Sequence, residues 1–119
     1  LAEDPIVRRK IAKLYIGLQV GYTMAYKIGW LKDKGGLSFA ASAASESKVF
    51  GTELLQRCAN FGTEILGLRG QVAKSKWAPM QGGLVDDYQF CVGLNIAAGS
   101  SEIQRNLIAW TGLGLPRFK

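Results

Sequence analysis

Apolar residues recur at every third or fourth position over a long stretch near the start of the chain. The members of this stripe are Val7, Ile11, Leu14, Leu18, Ala25 and Ile28, with Gly21 and Tyr22 at the intermediate step. This spacing is typical of one face of an α-helix. Asp4 followed by Pro5 is a favourable helix start, because aspartate caps free N–H groups and proline fits the first helical position. We therefore predict a helix over residues 5–32.

A second apolar stripe follows the glycine-containing turn at residues 32–36. Its members are Phe50, Leu54, Cys58, Phe61 and Ile65, again at steps of three and four. The stripe predicts a helix from about Ser38 to Leu66, which Gly67 ends. The alanine-rich segment 40–44 at its start suits a crowded helix crossing. A loop that continues to Gly83 follows, and it is longer than most loops in compact domains.

Two shorter helices are predicted in the last third of the chain. Residues 84–95 form the first, and the expected inner face consists of Val85, Tyr88 and Val92. The last helix spans residues 101–111. Ser101 and Gln104 fit a capping box, in which each side chain satisfies the other residue's free backbone N–H. The expected buried stripe of this helix consists of Ile103, Leu107 and Trp110.

Composition narrows the possible classes of protein. The chain has 119 residues, 48% of them hydrophobic, and only three prolines, so we predict one all-α domain over residues 1–119, an up-down helical bundle. No apolar run is long enough for a membrane span. The chain has no histidine, and its two cysteines lack metal-site spacing, so we expect no metal site. The net charge of +6 indicates a solvated basic face and no nucleic-acid partner, or else basic residues that meet an anionic cofactor or thioester at a subunit boundary. The first residue is leucine and no signal peptide pattern follows, so we expect a segment of a longer protein.

Two motifs resemble those of one enzyme family. Residues 99–105 read Gly-Ser-Ser-Glu-Ile-Gln-Arg. This is similar to the Gly-Thr-Ser-x-Ile-Gln-Arg signature at the last helix of the flavin-dependent acyl-CoA dehydrogenases. Residues 64–70 resemble the Gln-x-x-Gly-Gly-x-Gly loop of that family, with Glu64 in place of glutamine and Leu68 in place of one glycine. The resemblance implies the C-terminal part of the family's four-helix bundle, without the first bundle helix.

The resemblance also implies an activity and its partners. The family carries out α,β-dehydrogenation of acyl-CoA thioesters in lipid metabolism, with FAD as hydride acceptor and an electron-transfer flavoprotein as the next electron carrier. Family members are tetramers, here with identical or different subunits, in the cytoplasm or the mitochondrial matrix. The glycine-rich loop meets the FAD of a neighbouring subunit. The residues expected to contact the cofactor are Glu64, Gly67, Leu68, Gly70, Ser100 and Glu102.

The catalytic base of the family is absent from its usual position. In many members a glutamate directly before the motif glycine removes the α-proton, whereas this chain has Ala98 there. Three explanations stay open: a base on the upstream bundle helix, a non-catalytic subunit of a mixed oligomer, or flavin chemistry without such a base. A free-standing helical interaction module is a further alternative. The 119 residues alone are expected to be inactive, and the acyl chain length stays open.

Overall fold

The structure is a computed structural model that describes residues 2–117, with the backbone alone at residues 37 and 38. All regular elements of this part are helical. They are α1 (Pro5–Asp33), α2 (Leu37–Leu66), α3 (Gly83–Leu94) and α4 (Ser101–Leu107), with 3-10 turns at Gly67–Gln71 and Pro79–Gly82 and a π-helical turn at Ile108–Gly112. The all-α prediction is confirmed, and the predicted bounds of the two long helices are correct to within one residue.

The start of α1 is the cap that the sequence predicts. Asp4 Oδ1 accepts hydrogen bonds from the backbone N–H groups of Ile6 at 2.7 Å and Val7 at 3.4 Å. Pro5 occupies the first helical turn, where its missing N–H costs nothing. Two of the N–H groups that every helix start leaves without an intrahelical partner are thereby satisfied.

The face of α1 that packs on α2 contains only part of the predicted stripe. Val7, Leu14, Gly21 and Ile28 are half-buried as predicted. Ile11 and Leu18 are 51% and 47% exposed, and Ala25 is exposed as well. Gly17, Met24 and Leu31 are half-buried instead. The contact between α1 and α2 includes Gly17 and Gly21, because the absence of a side chain there lets the two helices approach closely.

The closest approach of α1 and α2 lies at Gly17. A Cβ atom at Gly17 would lie 2.7 Å from Leu54 Cδ1, and one at Gly21 would lie 3.9 Å from Phe50 Cε1. Leu54 is only 5% exposed. The predicted stripe of α2 is confirmed, because its other members are half-buried. Ion pairs of Lys10 with Glu64 and Lys27 with Glu46 show that the two helices run antiparallel.

The end of the chain crosses the start of α2. A Cβ atom at Gly112 would lie 2.3 Å from Ser42 Oγ, and Ser42 and Ala43 are buried. The crowded crossing predicted for residues 40–44 is therefore confirmed. Small residues on both sides allow this contact, because any larger side chain would separate the helices.

The predicted inner face of α3 is correct for Val85 and wrong for Tyr88 and Val92. Tyr88 and Val92 are 46% and 47% exposed, whereas Cys91 is 1% exposed and Val85 is half-buried. Leu84 turns toward α2, where a Cβ atom at Gly62 would lie 2.8 Å from Leu84 Cδ2. Leu84 packs into the space that Gly62 leaves on α2, and this contact sets the rotation of α3 about its axis. Cys91, two turns after Leu84, therefore faces inward.

Among the described residues, no helix combines the length and the apolar character that a membrane crossing requires.

The contact of Leu54 with Gly17 predicts a large loss of stability on truncation. Leu54→Ala should lower the free energy of unfolding by about 2–5 kcal/mol, because the cavity above Gly17 has no side chain that can fill it. Leu55→Ala is the matched control, since Leu55 is 44% exposed and should cost less than about 1 kcal/mol. Urea denaturation followed by circular dichroism measures both changes. Equal losses would contradict the assigned contact.

Candidate functional site

The family signature begins at a tight turn between α3 and α4. Ala98 has a φ of 55° and Gly99 a φ of 90°, so two successive residues adopt the left-handed region. This conformation is uncommon for alanine. Gln104 Nε2 donates a hydrogen bond of 2.8 Å to the Ala98 carbonyl oxygen. The φ of 90° favours glycine at position 99, and a Cβ atom there would also lie 2.8 Å from the same amide nitrogen. We call residues 95–102 the turn site.

Lys48 of α2 binds two backbone carbonyl oxygens of the turn site. Its ammonium donates to the carbonyl oxygen of Gly99 at 2.9 Å and to that of Asn95 at 3.4 Å. Hydrogen bonds from a charged donor are about twice as strong as neutral ones. Asn95 Nδ2 also donates to Gln56 Oε1 at 2.8 Å. Two side chains of α2 therefore position the backbone on which Ala98 lies.

The cap of α4 is one residue earlier than predicted. Ser100, not Ser101, is the N-cap residue, and its hydroxyl accepts a hydrogen bond of 3.4 Å from the Ile103 N–H. Ser101 is buried, and Gln104 bonds Ala98 instead of forming a capping box. The predicted stripe of this helix is also partly wrong, because Ile103 is 50% exposed. The physical reason is that the two-residue left-handed turn rotates α4, so that Ser101 and Gln104 face inward.

Glu102 lies at the exposed start of α4. The Ser100 hydroxyl, a backbone hydrogen bond and the charges of Arg105 and Lys48 lower the pKa of its carboxyl. Arg105 itself forms an ion pair of 2.5 Å with Glu53 of α2. Ser100 and Glu102, both predicted as cofactor contacts, are therefore neighbours at the same helix start.

The other predicted cofactor residues lie at the C-terminal end of α2. We call residues 64–70 the glycine site. Gly67 has a φ of 55°, and a Cβ atom there would meet no atom within 4 Å, so its backbone is open to a ligand. Gly70 is buried, and a Cβ atom there would lie 2.9 Å from the Thr63 carbonyl oxygen. Glycine at this position permits close packing of the turn on the end of α2. Leu68 is 84% exposed.

Glu64 does not stand alone at the glycine site. Its carboxylate pairs with Lys10 Nζ at 2.5 Å, and the same ammonium lies 5.4 Å from the centre of the Phe61 ring. A cavity of about 470 Å³ opens beside Glu64, Gly67 and Gly70. A neighbouring groove of about 460 Å³ between α1 and α2 is bordered by Lys10, Lys13 and Arg57. Sequence analysis could not place Lys10 and Lys13 beside Glu64, because only the antiparallel register of α1 and α2 brings them there.

The structure does not bring the two predicted groups together. Lys48, beneath the turn site, and Glu64, in the glycine site, are sixteen residues apart on α2. A helix rises 1.5 Å per residue, so this separation is about 24 Å. The turn site and the glycine site are therefore two separate places along one helix.

The described part of the chain has no candidate metal-binding cluster and no activated thiol. No cluster of three or more histidine, cysteine, aspartate or glutamate residues is present among the residues that were placed. Burial raises the pKa of both the Cys58 and the Cys91 thiol, and the nearby Asp87 charge raises that of Cys91 further. Thiols of raised pKa are poor nucleophiles.

Comparison with known proteins agrees with this geometry. The family profile that describes the C-terminal domain of the acyl-CoA dehydrogenases matches residues 1–113. The chain belongs to the acyl-CoA dehydrogenase family. It is 33% identical to acyl-CoA dehydrogenase FadE26 of Mycobacterium tuberculosis over 107 residues, which are 89% of this chain and 26% of that protein. Acyl-CoA dehydrogenase FadE29 of the same organism is 30% identical over 90 residues, which are 76% of this chain and 23% of FadE29. The chain thus spans about a quarter of the length of these relatives.

Solved structures of the family share the fold. The Tcur3481-Tcur3483 steroid ACAD superposes with a TM-score of 0.85 at 27% identity, covering 98% of this chain and 30% of that one. The ChsE4-ChsE5 complex from Mycobacterium tuberculosis superposes with a TM-score of 0.82 at 26% identity and the same coverage. Both names describe assemblies of two different components.

The bonds of Lys48 predict a loss of order in the turn site when the charge is removed. Lys48→Met keeps the length of the side chain but removes the donor, which contributes about 1.5–3 kcal/mol for a charged group. Amide hydrogen exchange at Ser101, whose N–H bonds the Asn95 carbonyl at 3.1 Å, should become about ten- to a hundredfold faster. Lys27→Met is the matched control, because Lys27 lies on α1 and pairs with Glu46 at 3.7 Å, away from the turn site. Unchanged exchange at Ser101 would contradict the assigned role.

Because Ser100 is the cap residue, the pKa of Glu102 should depend on Ser100 and not on Ser101. Ser100→Ala should raise the pKa of Glu102 toward its ordinary value of 4.5, because the largest cause of the shift is lost. Ser101→Ala should leave that pKa unchanged. NMR titration of the Glu102 side chain measures both. Since the pKa of Glu102 is lowered in the folded chain, its contribution to stability is present above about pH 4.5 and is lost as the pH falls through the folded value.

Proposed function

We propose that this chain is the C-terminal helical domain of an FAD-dependent oxidoreductase that carries out α,β-dehydrogenation of an acyl-CoA thioester. The observation that carries the proposal is the family signature 99–105, placed on a turn that Lys48 and Gln104 hold in one conformation. When bound, FAD accepts the hydride of the substrate, and an electron-transfer flavoprotein takes up the electrons. The domain contributes subunit packing and flavin contacts, in the cytoplasm or the mitochondrial matrix.

The residues of the glycine site are compatible with an anionic cofactor. A carboxylate beside a diphosphate is unfavourable by itself, but the Lys10 ammonium pairs with Glu64. Lys13 and Arg57 add two further positive charges at the adjoining groove. Cations therefore outnumber the single acid, and the open backbone of Gly67 adds a place for close approach.

In this proposal the glycine site and the turn site contact the flavins of two different subunits. The glycine site contacts the flavin of a neighbouring subunit, and Ser100 and Glu102 of the turn site face the flavin of their own subunit. The separation of about 24 Å along α2 supports this division. It also makes the assembly of subunits a condition for activity, so the 119 residues alone should be inactive.

No residue of the turn site is suited to remove the substrate's α-proton. Ala98 has no ionisable group. Glu102 has a lowered pKa, whereas a general base works best with a pKa near the working pH. Its carboxylate is also bonded to the Ser100 hydroxyl. We therefore look for the base outside the turn site, on the upstream bundle helix or in a companion subunit, unless the flavin chemistry needs no such base.

A second candidate is a non-catalytic subunit of a mixed oligomer. Ala98 at the usual position of the base favours it, and so do the two-component names of the superposed structures. In this case the companion subunit supplies the base, and this chain supplies packing and cofactor contacts. In the first case the base lies in the longer protein of which this chain is a part.

Substitution of Ala98 should have little effect on turnover. In the full-length protein with its native partners, Ala98→Gly should keep turnover within about tenfold of the unchanged protein, because glycine accepts a φ of 55° and no ionisable group is lost. Replacing the true base should cost several orders of magnitude. Turnover assays on purified assemblies, with flavin content measured in parallel, test this.

The same assays separate the two candidates. If only acids of a companion subunit are essential, the chain is the non-catalytic subunit. If an acid of its own upstream sequence is essential, the chain belongs to the catalytic one. Loss of turnover in Glu102→Gln, with flavin and thioester still bound, would place the base in this chain and contradict the proposal.

A further inference from the structure

A short loop between α2 and α3 has its two ends in contact. Gly82, with a φ of 86°, lies so close to Ala73 that a Cβ atom at Gly82 would overlap the Ala73 carbonyl oxygen. The eight residues between these ends, 74–81, are exposed except for Ala78 and Pro79, which are half-buried. We call them the loop tip. Compact surface loops whose ends lie close together are frequently functional.

The loop tip exposes two large apolar side chains. Trp77 is 75% exposed and Met80 is 74% exposed, more than most other large apolar residues of the described chain. Neither side chain packs into the domain, so both are available to a partner. Exposed apolar side chains that are grouped in this way mark an interaction site.

The backbone of the loop tip presents these side chains to solvent. Met80, Gln81 and Gly82 have φ values of 51°, 58° and 86°, so three successive residues adopt the left-handed region. This conformation is uncommon for methionine and glutamine. The N–H of Trp77 donates a hydrogen bond of 3.1 Å to Ser75 Oγ. Backbone strain of this kind is concentrated at functional sites.

Two lysines give the loop tip a positive charge. Lys74 and Lys76 are exposed, and residues 72–82 contain no acid. The Lys76 ammonium lies 5.1 Å from the centre of the Trp77 ring. Among residues 2–117, neither lysine forms an ion pair within 4 Å, although Asp86 and Asp87 follow at the start of α3. The charge of the loop tip is therefore open to an anionic partner.

We propose that the loop tip binds the surface of a membrane that contains anionic lipids. Tryptophan is favoured at the boundary between lipid headgroups and acyl chains, because its ring is apolar and its N–H is polar. Trp77 and Met80 enter this boundary, and the ammonium groups of Lys74 and Lys76 meet the lipid phosphates. Each basic residue near such a surface raises the affinity about fivefold.

An isolated loop tip suits a lipid surface better than a protein partner. A specific protein interface uses about 20–30 residues on each side, whereas the loop tip has eight. A lipid surface needs no matching contour, because headgroups and acyl chains rearrange around an inserted side chain. Two cations and two apolar side chains give weak and reversible binding, as a single lipid anchor does.

Co-sedimentation of the full-length protein with vesicles tests this proposal. Vesicles of phosphatidylcholine mixed with phosphatidylglycerol should bind the protein, and vesicles of phosphatidylcholine alone should bind it more weakly. Added salt should weaken binding to the mixed vesicles, because it screens the exposed lysines. Circular dichroism and flavin content show whether each variant keeps its fold and its assembly.

Charge removal separates the position of the lysines from the total charge. Lys74→Gln combined with Lys76→Gln should lower the affinity for the mixed vesicles about 25-fold, since two basic residues are lost. Lys32→Gln combined with Lys34→Gln is the matched control. These two lysines have the same spacing and are also exposed, in the turn at the opposite end of α2. The control should leave the affinity unchanged.

Removal of the tryptophan tests insertion. Trp77→Ala should lower the affinity for the mixed vesicles about tenfold or more, because a large apolar side chain no longer leaves water. Trp30→Ala is the control, since Trp30 is 60% exposed on α1. It should leave vesicle binding unchanged.

Four outcomes would overturn the proposal. The first is no binding to the mixed vesicles, and the second is an equal loss in either control. The third is binding to soluble polyglutamate through Lys74 and Lys76 without binding to vesicles, which would indicate an acidic protein partner. The fourth is a Trp77→Cys variant that reacts with a thiol reagent no faster than the unchanged protein, because another segment would then cover the loop tip. None of these measurements follows turnover, so this proposal and the proposed function fail separately.

Discussion

The close packing of α1 on α2 over Gly17 is the contact on which the other features depend. Leu54 fills the space that Gly17 leaves, and Phe50 does the same one turn away at Gly21. This contact determines the antiparallel register of the two helices. The register places Lys10 beside Glu64 and Lys27 beside Glu46. Exposed ion pairs add little stability by themselves, so the register is a result of apolar packing and the charges follow it.

Helix α2 serves as the common support of both candidate sites. Its middle carries Lys48, which bonds the turn site, and Glu53, which pairs with Arg105 of α4. Its C-terminal end carries the glycine site. On α1, by contrast, Tyr15, Tyr22, Tyr26 and Trp30 are more than half exposed. Both candidate sites therefore depend on the position of α2.

The turn site has an uncommon backbone conformation around Ala98, a residue without an ionisable side chain. Lys48, Gln104 and the cap of Ser100 hold the backbone around Ala98 in an uncommon conformation. Such conformations persist only where the surroundings determine them strongly. The support at this position is present, whereas the carboxylate that many family members carry there is absent.

The sequence alone determined the helices and the family. Caps, glycine stops and apolar steps of three and four are local signals, so the bounds of α1 and α2 and the signature 99–105 were readable without a structure. Which residue of a stripe faces inward was decided by tertiary packing. Gly17 shifted the inner face of α1 away from Leu18, and Gly62 turned Leu84 inward and Tyr88 outward.

Tertiary packing also decided features of the candidate sites that the sequence does not show. Sequence proposed Glu64 and the glycines, but the pairing with Lys10 and the bonds from Lys48 to the turn appear only when α1, α2 and α4 are packed. Sequence placed the cap of α4 at Ser101, because Gln104 three residues later completes a capping-box pattern there, whereas Ser100 has Ile103 at that step. The left-handed turn at Ala98 and Gly99 chose Ser100, since it fixes the direction from which α4 starts.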